Sequence, residues 1–107
     1  MRRGDIVAVA APGDFGKPRP AVIIQSDNFS EFDTVIVALI TSTLIAAPLL
    51  RVPIAPTTGN GLQLPSQIMA DKIVTLRRSR VGQHIGRLDD ETMVSLNRTL
   101  ALVLGFA

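Results

Sequence analysis

Residues 34–41 read Thr-Val-Ile-Val-Ala-Leu-Ile-Thr, an uninterrupted apolar run between two threonines. A strand with one face in water alternates apolar and polar residues, whereas a strand covered on both faces does not. Residues 21–24, Ala-Val-Ile-Ile, have the same character. We therefore predict that both strands lie at the centre of a barrel or in a subunit interface.

Short runs rich in Val and Ile recur along the chain between Gly, Pro, Asn and Asp, which predicts a mainly β domain. Strands are expected at residues 5–10, 21–25, 34–41, 50–54, 66–70 and 73–76, with a short polar strand edge around His84. The C-terminal segment instead has helical spacing, with Asp89 as N-cap and Gly105 as the stop; its apolar stripe is Met93, Leu96, Leu100 and Val103. We predict an SH3-like barrel with a C-terminal α-helix docked on it.

The size and composition of the chain bear on its organisation. It has 107 residues, 47% of them apolar, and no cysteine. One domain covering residues 1–107 is expected, and apolar residues in excess of a small core favour a homodimer. We expect no signal peptide after Arg2 and Arg3, and no apolar stretch is long enough to cross a bilayer. The prediction is a cytoplasmic protein without a membrane role.

A basic turn, Gly-Lys-Pro-Arg-Pro at residues 16–20, precedes the second predicted strand. Pro20 biases the residue before it toward an extended backbone, so the guanidinium of Arg19 sits on rigid local geometry. Its planar fork of donors suits phosphate or carboxylate. On spacing alone, however, Lys17 and Arg19 are equally well explained as solvated loop charges.

Polar residues also follow other apolar strands, which is where β scaffolds display functional groups. Thr41 and Ser42 follow the run that opens this section, and Asp71 follows residues 68–70. Turn and capping roles explain all three as well. The sequence has one histidine, no cysteine and no acidic cluster at metal-ligand spacing, so we expect neither a metal nor another cofactor.

A cluster of arginines lies near the end of the predicted sheet. Arg77, Arg78 and Arg80 fall within four residues, and such clusters favour a polyanionic partner through phosphate contacts. We predict that they bind RNA phosphates, with a solvated charged face as the alternative.

Seven segments, in order along nearly the whole chain, carry a family resemblance. They are Arg-Gly-Asp-Ile-Val (3–7), Gly-Lys-Pro-Arg-Pro-Ala-Val (16–22), Val-Ile-Val-Ala-Leu-Ile-Thr-Ser (35–42), Gly-Leu (61–62), Pro-Ser (65–66), Asp-Lys-Ile-Val-Thr-Leu (71–76) and Ile-Gly-Arg-Leu (85–88). In these segments the chain resembles the MazF/PemK toxins of bacterial type II toxin–antitoxin systems.

This resemblance implies a homodimeric barrel of the CcdB/PemK/MazF type. It implies a metal-independent, sequence-preferring endoribonuclease that cleaves single-stranded RNA, messenger RNA above all, and is neutralised by a MazE-like antitoxin protein. It assigns the catalytic pair to Arg19 and Thr41. Asp71 takes the place of an aspartate that is catalytic or contacts RNA in some members, although Met69 stands where those members carry arginine. Asp14 is the candidate for an acid that some relatives carry in the preceding loop.

The chemistry that these residues suit is attack by the RNA's own 2'-hydroxyl on the adjacent phosphorus. The protein then needs to orient the phosphate, stabilise developing charge and move protons. Arg19 and Thr41 are donors to the phosphate oxygens, and Lys17 adds positive charge. The general base stays open between Asp71, Asp14 and a group from a partner subunit.

Two other functions fit the same fold. A CcdB-like toxin binds DNA gyrase without cleaving RNA, and a degenerate nuclease would only bind RNA. CcdB-like proteins end in a tripeptide that contains tryptophan, whereas this chain has no tryptophan and ends Leu-Gly-Phe-Ala. The sequence therefore favours the nuclease.

Overall fold

One antiparallel sheet of six strands dominates the computed structural model, which describes residues 1–11, 13 and 17–106. The strands are β1 (Asp5–Val9), β2 (Arg19–Ile23), β3 (Thr34–Thr41), β4 (Arg51–Ile54), β5 (Ser66–Arg77) and β6 (Val81–Arg87). Their order across the sheet is β4-β5-β3-β2-β1-β6. Helix α1 (Asp90–Leu104) follows, and 3₁₀ turns lie at Asp27–Phe29 and Arg78–Arg80. The predicted mainly β class with a C-terminal helix is confirmed.

The central strand β3 is covered on both faces, as its sequence predicts. Ala38 and Ile40 belong to a buried cluster that also contains Leu96 and Leu100 of α1. Val37 and Leu39, which alternate with them, belong to a second cluster on the other face with residues of β1 and β2. Continuous apolar sequence therefore reflects two separate cores that share one strand.

Two strands, β5 and β2, differ most from the predicted ones. β5 is a single strand. The sequence predicted two strands here, with a break at the polar pair Asp71 and Lys72. The register between β3 and β5 shifts between Ala38 and Ile40, so these extra residues are accommodated as a bulge. β2 ends at Ile23, because the backbone N–H groups of residues 24 and 25 both donate to the carbonyl of Ile36 and regular pairing stops there.

Helix α1 begins and ends where its sequence indicates. The Asp89 carboxylate accepts a 2.7 Å hydrogen bond from the Thr92 N–H, and hydrogen bonds from the side chain and the N–H of Thr92 hold the pKa of Asp89 below its usual value. Gly105 adopts a left-handed conformation, with φ of 86°, and closes the helix. Leu96 and Leu100 are the buried members of the predicted apolar stripe. No helix among the described residues is long and apolar enough to span a membrane.

A buried carboxylate joins the first strand to the last. Asp5 accepts hydrogen bonds from the Arg2 N–H at 2.7 Å and from the Arg87 guanidinium at 2.9 Å. Burial favours the neutral acid, but these bonds and the charges of His84 and Arg87 outweigh it, so the pKa of Asp5 is lowered. The carboxylate therefore stays ionised and ties β1 to β6.

Candidate active site

The pairing of β2 with β3 brings two predicted site residues together. Ala21 pairs with Leu39 in this antiparallel ladder. Continuing the register by two residues sets Arg19, the first residue of β2, opposite Thr41, the last residue of β3. Opposed residues of an antiparallel pair project from the same face of a sheet. Two residues that are distant in sequence thus lie at the same rim of the sheet.

A cleft of about 380 Å³ lies at this rim. Three segments form its walls: the start of β2, the end of β3 with the residues after it, and the loop before β5. The lining residues are Pro18, Arg19, Pro20, Ile40, Thr41, Ser42, Thr43, Leu62, Gln63, Leu64 and Ser66. Arg19 and Thr41 both line this cleft, and both residues are half-buried.

The Thr41 hydroxyl takes part in a local turn. Its oxygen accepts a 3.0 Å hydrogen bond from the Thr43 N–H. A hydroxyl has one proton to donate in addition to its lone pairs, so accepting this bond leaves the Thr41 O–H available to a ligand. The turn role and the site role that the sequence left as alternatives are therefore compatible in one residue.

The remaining candidates near the turn differ in position. Ser42 lines the cleft and is exposed. Lys17 is exposed and directly precedes Pro18, which lines the cleft. Asp14 lies outside the described residues. The residues that line the cleft thus include a guanidinium group and hydroxyl groups that can donate hydrogen bonds. The ammonium group belongs to Lys17, which is next to the lining residue Pro18 in the sequence.

Asp71 lies on β5 and is not among the residues that line the cleft. Its carboxylate oxygen is 3.4 Å from Nε of Arg51, which is buried and has no hydrogen-bond partner among the described residues. The structure therefore pairs Asp71 with β4 and does not group it with Arg19 and Thr41. An ion pair between neighbouring strands is the role that these contacts support.

The arginine cluster lies at the other end of β3. Arg77 pairs with Thr34, the first residue of that strand, which is about 23 Å along it from Thr41. The Arg78 guanidinium donates to the carbonyls of Phe32 and Phe29, so it braces the preceding loop. Arg77 and Arg80 are exposed.

The third wall of the cleft depends on residues that sequence reasoning did not single out. Asn60 is buried, and its side chain accepts from the N–H groups of Thr57 and Leu62 and donates to the carbonyl of Ala55. Gly61, with φ of 70°, lies against the Ile85 carbonyl of β6. These contacts fix the loop that carries Leu62 and the two residues after it. The sequence signal available for this loop was the pair Asn60-Gly61, which is typical of a turn and does not indicate the wall of a cleft.

Within the described ranges, no group of three or more His, Cys, Asp or Glu side chains is arranged to hold a metal ion.

The architecture places the chain in a known structural class. A solved endoribonuclease in complex with its cognate antitoxin, from a mycobacterial species, aligns with a TM-score of 0.85 over 100% of this chain and 97% of that chain. The two sequences are 24% identical, so this likeness shows the shared fold.

Sequence comparison gives the family. Residues 2–104 match the family model of the PemK-like, MazF-like toxins of type II toxin–antitoxin systems. The probable endoribonuclease MazF of Mycolicibacterium smegmatis is 45% identical over 108 residues, covering 100% of this chain and 99% of that protein. The endoribonuclease MazF of Staphylococcus saprophyticus is 33% identical, covering 98% and 92%. The chain belongs to the PemK-like, MazF-like toxin family, which confirms the family prediction and supports the nuclease over the CcdB-like alternative.

Proposed function

We propose that this MazF-family endoribonuclease cleaves single-stranded RNA in the cleft shared by Arg19 and Thr41. The observation that carries the proposal is the juxtaposition of an arginine fork and a threonine hydroxyl across the rim of β2 and β3. Both side chains carry hydrogen-bond donors, and both residues line one cleft. Such a pair suits the non-bridging oxygens of a phosphodiester.

The proposed reaction is an internal transfer at phosphorus. The 2'-oxygen of the RNA forms a new bond to phosphorus while the bond from phosphorus to the 5'-oxygen breaks. The 2'-hydroxyl loses its proton and the leaving 5'-oxygen gains one, which gives a 2',3'-cyclic phosphate and a 5'-hydroxyl. Because the RNA supplies the nucleophile, the protein's task is to orient the phosphate and stabilise the charge that develops on it.

Arg19 and Thr41 stabilise the charge that develops on the phosphate in different ways. The guanidinium places paired N–H donors on the phosphate and acts as an electrostatic group and not as the base. The Thr41 hydroxyl adds a donor from the opposite strand, and Ser42 extends the same wall. Lys17 contributes positive charge next to the cleft.

The proton acceptor is a separate part of the proposal. The sequence offers Asp14, Asp71 or a partner-subunit group for this role. The ion pair of Asp71 with Arg51, and its position outside the cleft lining, favour a structural role for Asp71. Asp14 and a partner-subunit group are therefore the preferred candidates for the base.

The proposal includes assembly and location. We propose a cytoplasmic homodimer that is neutralised by a MazE-like antitoxin and acts on messenger RNA. Exposed apolar side chains of α1, Val94 at 48% and Leu102 at 59%, support burial against another chain. The solved relative named above is in complex with its cognate antitoxin, which supports an antitoxin for this chain.

Removal of one oxygen atom from the RNA, the 2'-oxygen next to the cleaved bond, tests the proposed reaction. The protein is incubated with a long single-stranded RNA, the cleaved bond is mapped, and an oligonucleotide is made with deoxyribose only at the nucleotide 5' to that bond. Cleavage there should stop, while the all-ribose control gives a cyclic phosphate and should be cut equally well with EDTA present. Cleavage of the deoxy substrate would contradict attack by the 2'-hydroxyl, and loss of activity in EDTA would contradict the metal-independent reaction.

A further inference from the structure

A glutamine side chain holds the segment that follows Thr41. Gln67 lies on β5 directly opposite Thr41 in the ladder between β3 and β5. Its Nε2 donates to the Ile45 carbonyl at 2.8 Å, and its Oε1 accepts from the Ile45 N–H at 3.2 Å. One amide thus satisfies both backbone groups of Ile45, in the way that a neighbouring strand would.

The segment has few other attachments. Residues 42–46 are exposed, and the side chains of Leu44 and Ile45 are 55% and 48% exposed, so apolar burial contributes little to their position. The bond from the Thr43 N–H to the Thr41 hydroxyl holds one end. The Gln67 amide holds the other end at Ile45, whose carbonyl also accepts the Ala47 N–H at 3.1 Å within the same stretch of chain. Segments with little buried apolar contact open locally at low cost, so losing one attachment should release this one.

We propose that Gln67 is a positioning residue, which acts through Ile45 to keep Thr41, Ser42 and Thr43 in place as one wall of the cleft. This inference rests on the proposed function of that cleft. A hydroxyl stabilises a transition state only when it is already oriented, so release of the segment weakens the chemical step. Binding of RNA depends chiefly on Arg19 and surrounding positive charge and is little affected.

The test replaces Gln67 by methionine, which has a similar length and shape but cannot form either hydrogen bond. Q67M should lower kcat about tenfold or more while KM changes less than about twofold. Amide hydrogen exchange should become faster at Ile45 and Thr43. Q67E keeps the acceptor for the Ile45 N–H but sets a carboxylate against the carbonyl, so its kcat should also fall.

Gln25 provides a matched control at the other end of β3. Its amide makes the same kind of clamp, accepting from the Ile36 N–H at 3.2 Å and donating to the Phe29 carbonyl at 3.1 Å. Q25M should therefore speed exchange at Ile36 and leave kcat at saturating RNA unchanged.

Three results would overturn the positioning role. They are unchanged exchange at Ile45 in Q67M, faster exchange with a wild-type kcat, and an equal loss of kcat in Q25M. Failure of the proposed function is a different result, namely full activity in an Arg19→Ala variant. The exchange data still report on the clamp in that case, so the two failures are distinguishable.

Discussion

In the proposed site, the hydroxyl group of Thr41 has two roles. Its oxygen accepts the Thr43 N–H at 3.0 Å, which leaves its proton available for donation. We propose that the same group shapes the turn after β3 and donates to a phosphate in the cleft.

Replacing Thr41 by valine keeps the shape of the side chain and removes the hydroxyl. We predict that T41V lowers single-turnover RNA cleavage about a hundredfold, because one donor to the phosphate is lost. The fold should lose only about 1 kcal/mol, from the unmade turn bond. T41S keeps the hydroxyl and should stay within about tenfold of wild type. Wild-type cleavage by T41V would remove Thr41 from the site.

Asp5 provides a residue-scale prediction about pH. Its pKa is lowered in the folded protein, so its contribution to stability is present above the unfolded pKa of about 3.9 and is lost as pH falls through the lower folded value. The free energy of unfolding should be lower for D5N than for wild type at pH 7, and this difference should shrink toward pH 3. Urea denaturation of both proteins at the two pH values measures it. A difference that stays constant or grows in acid would contradict the ionised anchor.

At the scale of elements, the loop before β5 is held by backbone contact with β6. A Cβ on Gly61 would lie 2.2 Å from the Ile85 carbonyl oxygen, at a φ of +70° that other residues rarely adopt. A Cβ on Gly59 would meet nothing closer than the Thr57 hydroxyl at 3.9 Å. A methyl group should therefore be tolerated at Gly59 and should not be tolerated at Gly61.

We predict that G61A destabilises the fold by about 2 kcal/mol or more, whereas G59A changes the free energy of unfolding by less than about 1 kcal/mol. Cleavage should fall in G61A as well, because Leu62 and Leu64 belong to the cleft wall. Urea unfolding and a cleavage assay on both variants check this. Equal stability of G61A and G59A would show that the contact with β6 does not hold the loop.

The elements also show what sequence could predict. The positions of Arg19 and Thr41 could be predicted from the sequence, because each lies at the end of an apolar strand whose burial is evident from the local pattern. The strand break predicted at Asp71 was wrong, because the polar pair Asp71 and Lys72 lies inside β5, where a bulge accommodates it. The third wall could not be predicted, because Gly61 lies against the Ile85 carbonyl, 24 positions further along the chain. Local sequence predicts strand ends, and non-local packing decides which of them share a cleft.

At the scale of the whole molecule, positive charge lies at both ends of β3. Arg19 lies near Thr41 at one end, and the exposed Arg77 and Arg80 lie at the other. The guanidinium of Arg78 is already bonded to loop carbonyls, so Arg77 and Arg80 are the better candidates for RNA phosphate contacts.

Salt dependence tests this charge distribution. Each phosphate contact with a single strand contributes about 0.7 to the slope of log binding constant against log salt concentration. The double variant R77A/R80A should therefore flatten this slope by about 1.4, measured by fluorescence anisotropy of labelled RNA. R98A, which removes an exposed charge from α1, should leave the slope unchanged. An unchanged slope in the double variant would make these arginines a solvated face.

The role of Arg19 at the phosphate is tested by single-turnover cleavage of RNA by R19A, beside R19K and the charge-matched control R98A. We predict that R19A loses at least a hundredfold in rate, that R19K recovers only part because it lacks the paired fork, and that R98A equals wild type. Far-ultraviolet circular dichroism should show all three variants folded. A folded R19A variant that cleaves RNA at the wild-type rate would show that Arg19 does not stabilise the transition state.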